Sequence, residues 1–217
     1  MAKPPQPPLE PCADVAAKGI PPELIVRDPR RLLDELRRTW ASHRERWLFG
    51  YGSLIWRPEF DPAERRAARV QGWHRALRMR SRINRGTPQE PGLVFALLPG
   101  GACRGFVYRL PPDPDDALLE RLWQREMPTG VYDPRLVRCT TSAGEVQALA
   151  FTLSPRHEAC HPRLPDAHVL HILRHARGRY GSTLDYLAQT AQALKEHGVH
   201  DREIERLMAL ARRQGLL

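Results

Sequence analysis

Glu126 and the run Phe49-Gly50-Tyr51-Gly52-Ser53-Leu54 are the parts of this 217-residue chain whose residue types and spacing can do chemistry. In the run, two glycines flank a tyrosine and a small hydroxyl residue follows. Glycine admits positive φ, so successive backbone N–H groups of such a turn can point one way and make a nest for a carboxylate or oxyanion. Glycine-rich turns after strands are common, and a plain turn is the competing reading. Glu126 lies in Leu122-Trp123-Gln124-Arg125-Glu126-Met127-Pro128-Thr129-Gly130-Val131-Tyr132. Counted from Leu119 and Leu122, positions 123 and 126 continue the buried stripe of a helix, which aims the carboxylate at the core or a cleft. It is either a helix-end acid paired with a nearby arginine or a desolvated carboxylate of raised pKa, fit to act as a base near neutral pH.

Other constellations carry less. Ser53 is one position late for Gly-x-Ser-x-Gly, and Ile55 stands where the closing glycine belongs, so a nucleophilic serine is disfavoured. Its amide and hydroxyl suit hydrogen-bond donation instead. His168, His171 and His175 share one helix face, with His157, Cys160 and His161 upstream. No Cys-x-x-Cys or His-Glu-x-x-His accompanies them, so a solvated face is preferred and no metal is expected. Neither a Gly-x-x-x-x-Gly-Lys loop nor a Gly-x-Gly-x-x-Gly turn is present, and no cofactor is expected.

The elements that must position these residues follow from pattern. Asp28-Pro29 caps a helix with Leu32, Leu33, Leu36 and Trp40 on its apolar face. Strands are expected at 47–51, 68–71 and 75–80, the last two around Gly72. The runs 93–98 and 103–110 read as a hairpin turned by Pro99-Gly100-Gly101. Asp113-Pro114 starts the helix that ends by Pro128. Strands 135–140 and 146–153 pair across Ser142-Ala143-Gly144. Helices at about 166–177, 183–197 and 201–213 complete the chain, the middle one with Ser182 and Asp185 as a capping box. Strands bunched before residue 153 and helices after it argue α+β; about six strands linked by hairpins suggest a small closed barrel.

Composition narrows the classes. A 41% apolar and 27% charged chain with no long apolar run reads as globular, with no membrane partner. Residues 1–24 read as a Pro-rich flexible leader without a secretory apolar region, and 25–217 as one domain. Four scattered cysteines, without a signal peptide, argue for reduced thiols in the cytoplasm. The net charge of +9 is dispersed and supplied by arginine, so it draws small anions as readily as nucleic acid.

Together these residues resemble the ChaC-type γ-glutamylcyclotransferases over roughly 47–205. Phe49-Gly50-Tyr51-Gly52-Ser53-Leu54-Ile55-Trp56 looks like the family's signature loop. Val70-Gln71-Gly72-Trp73-His74-Arg75, Arg85-Gly86-Thr87 and Gly105-Phe106-Val107-Tyr108-Arg109-Leu110 resemble the segments after it. Arg125-Glu126-Met127 with Gly130 and Tyr132 looks like the stretch carrying the catalytic glutamate, and Asp185-Tyr186-Leu187 like the start of a late helix. The resemblance implies a small mixed or antiparallel β-barrel with packed helices, cleaving glutathione to 5-oxoproline and cysteinylglycine. Glu126 is then the catalytic base and acid, and Tyr51, Gly52, Ser53, Leu54, Ile55 and Trp56 bind substrate. Tyr132 orients it, and Arg80 or Arg85 meets the glycyl carboxylate unless these are surface charges. Three rivals stand: a cyclotransferase for other γ-glutamyl amino acids or amines, a basic nucleic-acid-binding module, whose clustered basic and aromatic strand set is not evident, and a catalytically silent regulatory protein on this fold, which the presence of both the loop and Glu126 disfavours. Oligomeric state is left open.

Overall fold

A computed structural model of the chain describes residues 20–112 and 116–217. Helix α1 (Pro29–Trp40) begins as expected: Asp28 accepts a hydrogen bond from the Arg30 amide, and Pro occupies the first turn. Leu33, Leu36 and Trp40 are its buried face. Strand β1 (Trp47–Gly50) follows and is buried throughout, which explains its unbroken apolar sequence.

Two strands of 18 residues dominate the rest, β2 (Glu64–Ser81) and β3 (Gly92–Arg109). This differs from the sequence expectation at two places. Positions 68–71 and 75–80 belong to one strand, and Pro99-Gly100-Gly101 does not turn the chain back. The β2–β3 register shifts between Gln71 and Trp73, where Trp73 lies opposite Pro99 and Gln71 opposite Ala102. Gly72, Gly100 and Gly101 all have positive φ there. A turn-like dipeptide thus serves as a bulge that bends a continuous ladder, as barrel closure demands. The actual reversal is the connection 82–91, which carries Arg85.

Helix α2 (Ala117–Glu126) leads to β4 (Asp133–Thr141) and β5 (Gly144–Thr152), a hairpin in the expected place. The expected helix start at Asp113-Pro114 lies outside the described residues. The five strands close a barrel in the order β1-β3-β2-β4-β5, with β5 returning to β1 in parallel. Five strands close it rather than about six. The remaining pair, β6 (Arg177–Gly178) and β7 (Gly181–Ser182), forms its own small ribbon. Helices α3 (Asp166–His175), α4 (Thr183–Glu196) and α5 (Arg202–Arg213) follow, and the Ser182–Asp185 capping box opens α4.

Both faces of the sheet are covered. Trp47, Phe49, Phe95 and Leu97 pack with Leu173, Leu187, Leu194 and Leu207 of α3–α5. Their neighbours Leu48, Ala96 and Leu98 pack with Leu36, Leu119, Leu122 and Trp123 of α1 and α2. The period-two alternation of a strand therefore sends adjacent residues into two separate apolar clusters.

One buried cation joins these layers. Arg75 of β2 donates to the Tyr51 carbonyl and, at 2.6 Å, to the Arg104 carbonyl, and pairs with Asp201, the N-cap of α5. Its side chain is 1% exposed. It ties the residue after β1 to a helix packed on the barrel. Arg75→Met strands the partly buried Asp201 carboxylate and two carbonyls, and is expected to cost about 3–5 kcal/mol by urea unfolding. Asp201→Asn keeps the helix cap and should cost clearly less.

Candidate active site

A cavity of about 630 Å³ opens beside the barrel, lined by the segment after β1, the end of α2, the 82–85 stretch and Tyr186 of α4. Its first contributor is the loop that follows β1. Residues Ser53–Ile55 form one turn of 3-10 helix. The Ile55 amide donates to the Gly52 carbonyl at 3.0 Å, and the Trp56 and Arg57 amides to the Ser53 carbonyl at 3.2 and 2.8 Å. Among the described residues no carbonyl partner accompanies the amides of Gly52, Ser53 and Leu54, and of these three residues Ser53 lines the cavity.

The glycines here do not act as the sequence suggested. Neither Gly50 nor Gly52 has positive φ, so no left-handed nest forms. Close approach requires them instead: a Cβ on Gly50 would lie 2.8 Å from Cε2 of Tyr108, and one on Gly52 2.7 Å from the Tyr186 hydroxyl. Gly52 thereby lets a phenol from α4 sit directly against the loop.

Glu126 ends α2 on the stripe of Leu118, Leu119, Leu122 and Trp123, and its side chain is 14% exposed, onto the cavity. This residue is paired with an arginine and desolvated at once. Arg125 Nε pairs with Glu126 Oε1 at 3.0 Å, yet burial raises the carboxyl above its ordinary pKa. The Arg125 charge opposes that shift and the Glu59 charge adds to it. Arg125 also reaches Ser53 Oγ at 3.3 Å and Glu59 at 3.3 Å, and Arg57 holds Glu59 at 2.7 Å. One guanidinium therefore couples the acid to the loop.

Two phenols, Tyr132 and Tyr186, line the same space, and that of Tyr51 stands behind it. The Tyr51 hydroxyl donates to the Phe151 carbonyl at 2.6 Å. The Tyr186 hydroxyl accepts from the Phe95 amide at 3.2 Å. Burial drives all three pKa values up, and the Glu126 charge adds to each rise. They stay protonated at neutral pH and can donate but not act as bases.

Tyr132 is placed from a distance. Arg27, just before α1, donates to the carbonyls of Gly130 (2.8 Å), Val131 (3.1 Å) and Tyr132 (2.6 Å) and pairs with Asp133 at 2.8 Å. Gly130 has φ +66, and a Cβ there would collide with the Arg27 carbonyl. Nothing in the sequence marks Arg27, because its partners lie about a hundred residues on. Tyr186 and Glu59 also went unassigned; Tyr186 had a signal in Asp185-Tyr186-Leu187.

The other expected residues divide into two groups. Ser53, Trp56, Arg80, Arg85 and Tyr132 line the cavity with Glu126. Tyr51, Gly52, Leu54 and Ile55 stand behind it, the side chains of Leu54 and Ile55 packed in the two apolar clusters. Neither Arg80 nor Arg85 is a surface charge. Arg85 is 6% exposed, donates to the Tyr180 carbonyl and lies over the rings of Trp56 and Tyr186 at 5.9 and 5.3 Å. Arg80 donates to His161 Nε2 at 3.2 Å. Burial, then the charges of Arg80 and Arg78, keep His161 below its ordinary pKa, so the ring accepts as neutral imidazole. Arg57, Arg80, Arg82, Arg85, Arg121 and Arg125 face the cavity against Glu59, Glu126 and Glu158, a lining that favours anions. Among the described residues no group of three or more His, Cys, Asp or Glu could hold a metal ion; His171 faces Glu90 at 3.5 Å. None of the described helices is long and apolar enough to cross a membrane.

The chain is similar to known proteins. The chain is 36% identical to the glutathione-specific γ-glutamylcyclotransferase of Escherichia coli (strain K12), over 71% of this chain and 68% of that protein. It is 30% identical to the glutathione-specific γ-glutamylcyclotransferase 1 of Homo sapiens, over 69% of each. The fold superposes on the crystal structure of a selenomethionine-labelled γ-glutamyl cyclotransferase specific to glutathione from yeast. That match has a TM-score of 0.69 at 20% identity and covers 78% of this chain and 96% of the other. The sequence model described as ChaC-like protein matches residues 46–214, and the chain belongs to that family.

Proposed function

We propose that this protein is a glutathione-specific γ-glutamylcyclotransferase, a lyase that converts glutathione to 5-oxoproline and cysteinylglycine with Glu126 as base and acid. The observation that carries the reading is Arg125, which holds a carboxylate of raised pKa and the Ser53 hydroxyl of the 52–54 loop at one cavity. The substrate contains both reacting groups. Its α-amine nitrogen attacks its own γ-carbonyl carbon and closes a five-membered ring, so the protein need only hold the γ-glutamyl unit curled. Positioning of that kind corresponds to effective molarities of about 10⁵–10⁸ M.

The α-amine is an ammonium in water and must first lose a proton. Glu126 takes it, the nitrogen–carbon bond forms, and the γ-carbonyl oxygen becomes an oxyanion that the amide and hydroxyl of Ser53 on the cavity wall can steady. Collapse breaks the bond to the cysteinyl nitrogen, which receives the proton from Glu126; the ring nitrogen gives up its second proton by the same carboxylate to the departing amine, which leaves as an ammonium. No water is consumed. Tyr132 and Tyr186 orient the substrate as neutral phenols, and the arginine-lined wall receives the glycyl carboxylate, with Arg80 better placed than Arg85, which its carbonyl and rings already engage. Thiols are kept reduced in the cytoplasm, and Cys103, Cys139 and Cys160 are free thiols, which supports a cytoplasmic site of action.

Two outcomes test the reading. Incubated with glutathione, the protein should release cysteinylglycine and 5-oxoproline detectable by mass, and Glu126→Gln should lower kcat by about 10²–10⁴-fold while unfolding no more readily than wild type. Near wild-type turnover by that variant removes Glu126 from the mechanism. The base must be ionised to act, so activity rises with pH through the Glu126 pKa. Removing the Arg125 charge leaves burial and Glu59 unopposed, so Arg125→Met should move the acid limb of kcat/KM to higher pH. An unmoved limb contradicts the coupling.

A further inference from the structure

Part of the cavity wall is apolar and comes from residues that the family match leaves out. Leu24 and Val26 line it together with Phe60, Leu118, Leu122 and Val131, and positions 24 and 26 precede the matched span 46–214. Their segment is fixed in place. The Val26 amide donates to the Thr129 carbonyl at 2.8 Å, Arg27 grips residues 130–133, and Trp123 Nε1 donates to the Pro29 carbonyl at 2.7 Å. Val26 is nevertheless 42% exposed, one of the few large apolar side chains left so among the described residues. A rigid, exposed apolar side chain at the edge of a cavity suits the apolar part of a ligand.

Glutathione supplies no such part. It has two charged ends and a single CH₂–SH branch, while the cavity of about 630 Å³ lies well above the lower bound of roughly 300 Å³ for small-molecule sites. In the proposed reaction the γ-glutamyl end belongs with Glu126 and the loop amides, and the glycyl carboxylate with the arginines. The thiol is the one branch that can be extended without altering either charged end. We infer that the segment 22–28 and α2 build a subsite for an apolar group on that thiol, so that the substrate class includes S-alkyl and S-aryl conjugates of glutathione. This rests on the cyclotransferase reading above. The bond changes are the same: the α-amine nitrogen joins the γ-carbonyl carbon, the bond to the cysteinyl nitrogen breaks, and Glu126 passes two protons in turn from the first nitrogen to the second. The thioether is untouched, and the products are 5-oxoproline and an S-substituted cysteinylglycine.

The test compares glutathione with S-methyl-, S-butyl- and S-hexylglutathione by 5-oxoproline release, in wild type and in Val26→Asp. In wild type kcat/KM should rise along the series, by up to about fourfold for each methylene that reaches the apolar wall. The gain should fall mainly in KM, since the substituent is remote from the reacting bond. The ratio of S-hexylglutathione to glutathione should drop about tenfold or more in Val26→Asp, which places a charge where the chain would lie. Glutathione turnover with a flat or falling series overturns the subsite and leaves the reaction standing. A series that rises equally in Val26→Asp overturns the role of this segment. No 5-oxoproline from any of the four overturns the reaction itself, and the subsite with it.

Discussion

The carboxylate of Glu126 is held largely out of water against a single guanidinium, and the rest of the site is arranged around that fact. Burial pushes its pKa up; Arg125 keeps it from rising without limit and keeps it pointed at the loop after β1. The cost of desolvating this acid is met by the fold around it. The apolar cluster shared with α1 fixes α2 on one face of the barrel, and Arg27 and Arg75 fix the segments that carry Tyr132 and Tyr51. Each of these arginines binds main-chain carbonyls, so the geometry rests on backbone rather than on mobile side-chain pairs.

A reaction in which nucleophile and electrophile share one substrate explains the sparseness of the machinery. A base, a few directed amides and a shaped, anion-attracting wall are sufficient. In the proposed reaction the phenols of Tyr132 and Tyr186 on the cavity wall would add donors without competing for the proton, because burial keeps them neutral. The dispersed positive charge of the sequence gathers locally in the arginines that line the cavity.

Local signals carried well from sequence to structure. The Asp28 cap, the Ser182–Asp185 box and the buried stripe leading to Glu126 depend on neighbours within a turn, and all were legible. What depended on distant partners was not. Gly100-Gly101 has the look of a turn, and only the ladder with β2 reveals a bulge. Gly50 and Gly52 signalled backbone freedom, whereas their role is to admit Tyr108 and Tyr186 from elsewhere in the chain. Arg27, among many arginines, gave no sign of the clamp it forms across residues 130–133. Arg80 and Arg85 could not be told from surface charges until His161, Tyr180 and the two rings were seen beside them.

The most direct measurement is a pH titration of the Glu126 side-chain carboxyl by ¹³C NMR, assigned by difference from Glu126→Gln, set beside the pH profile of kcat/KM for glutathione. The account expects a midpoint displaced above the ordinary glutamate range and coincident with the acid limb of the profile. A carboxyl that titrates at the ordinary glutamate value, or an acid limb that falls elsewhere, would contradict it.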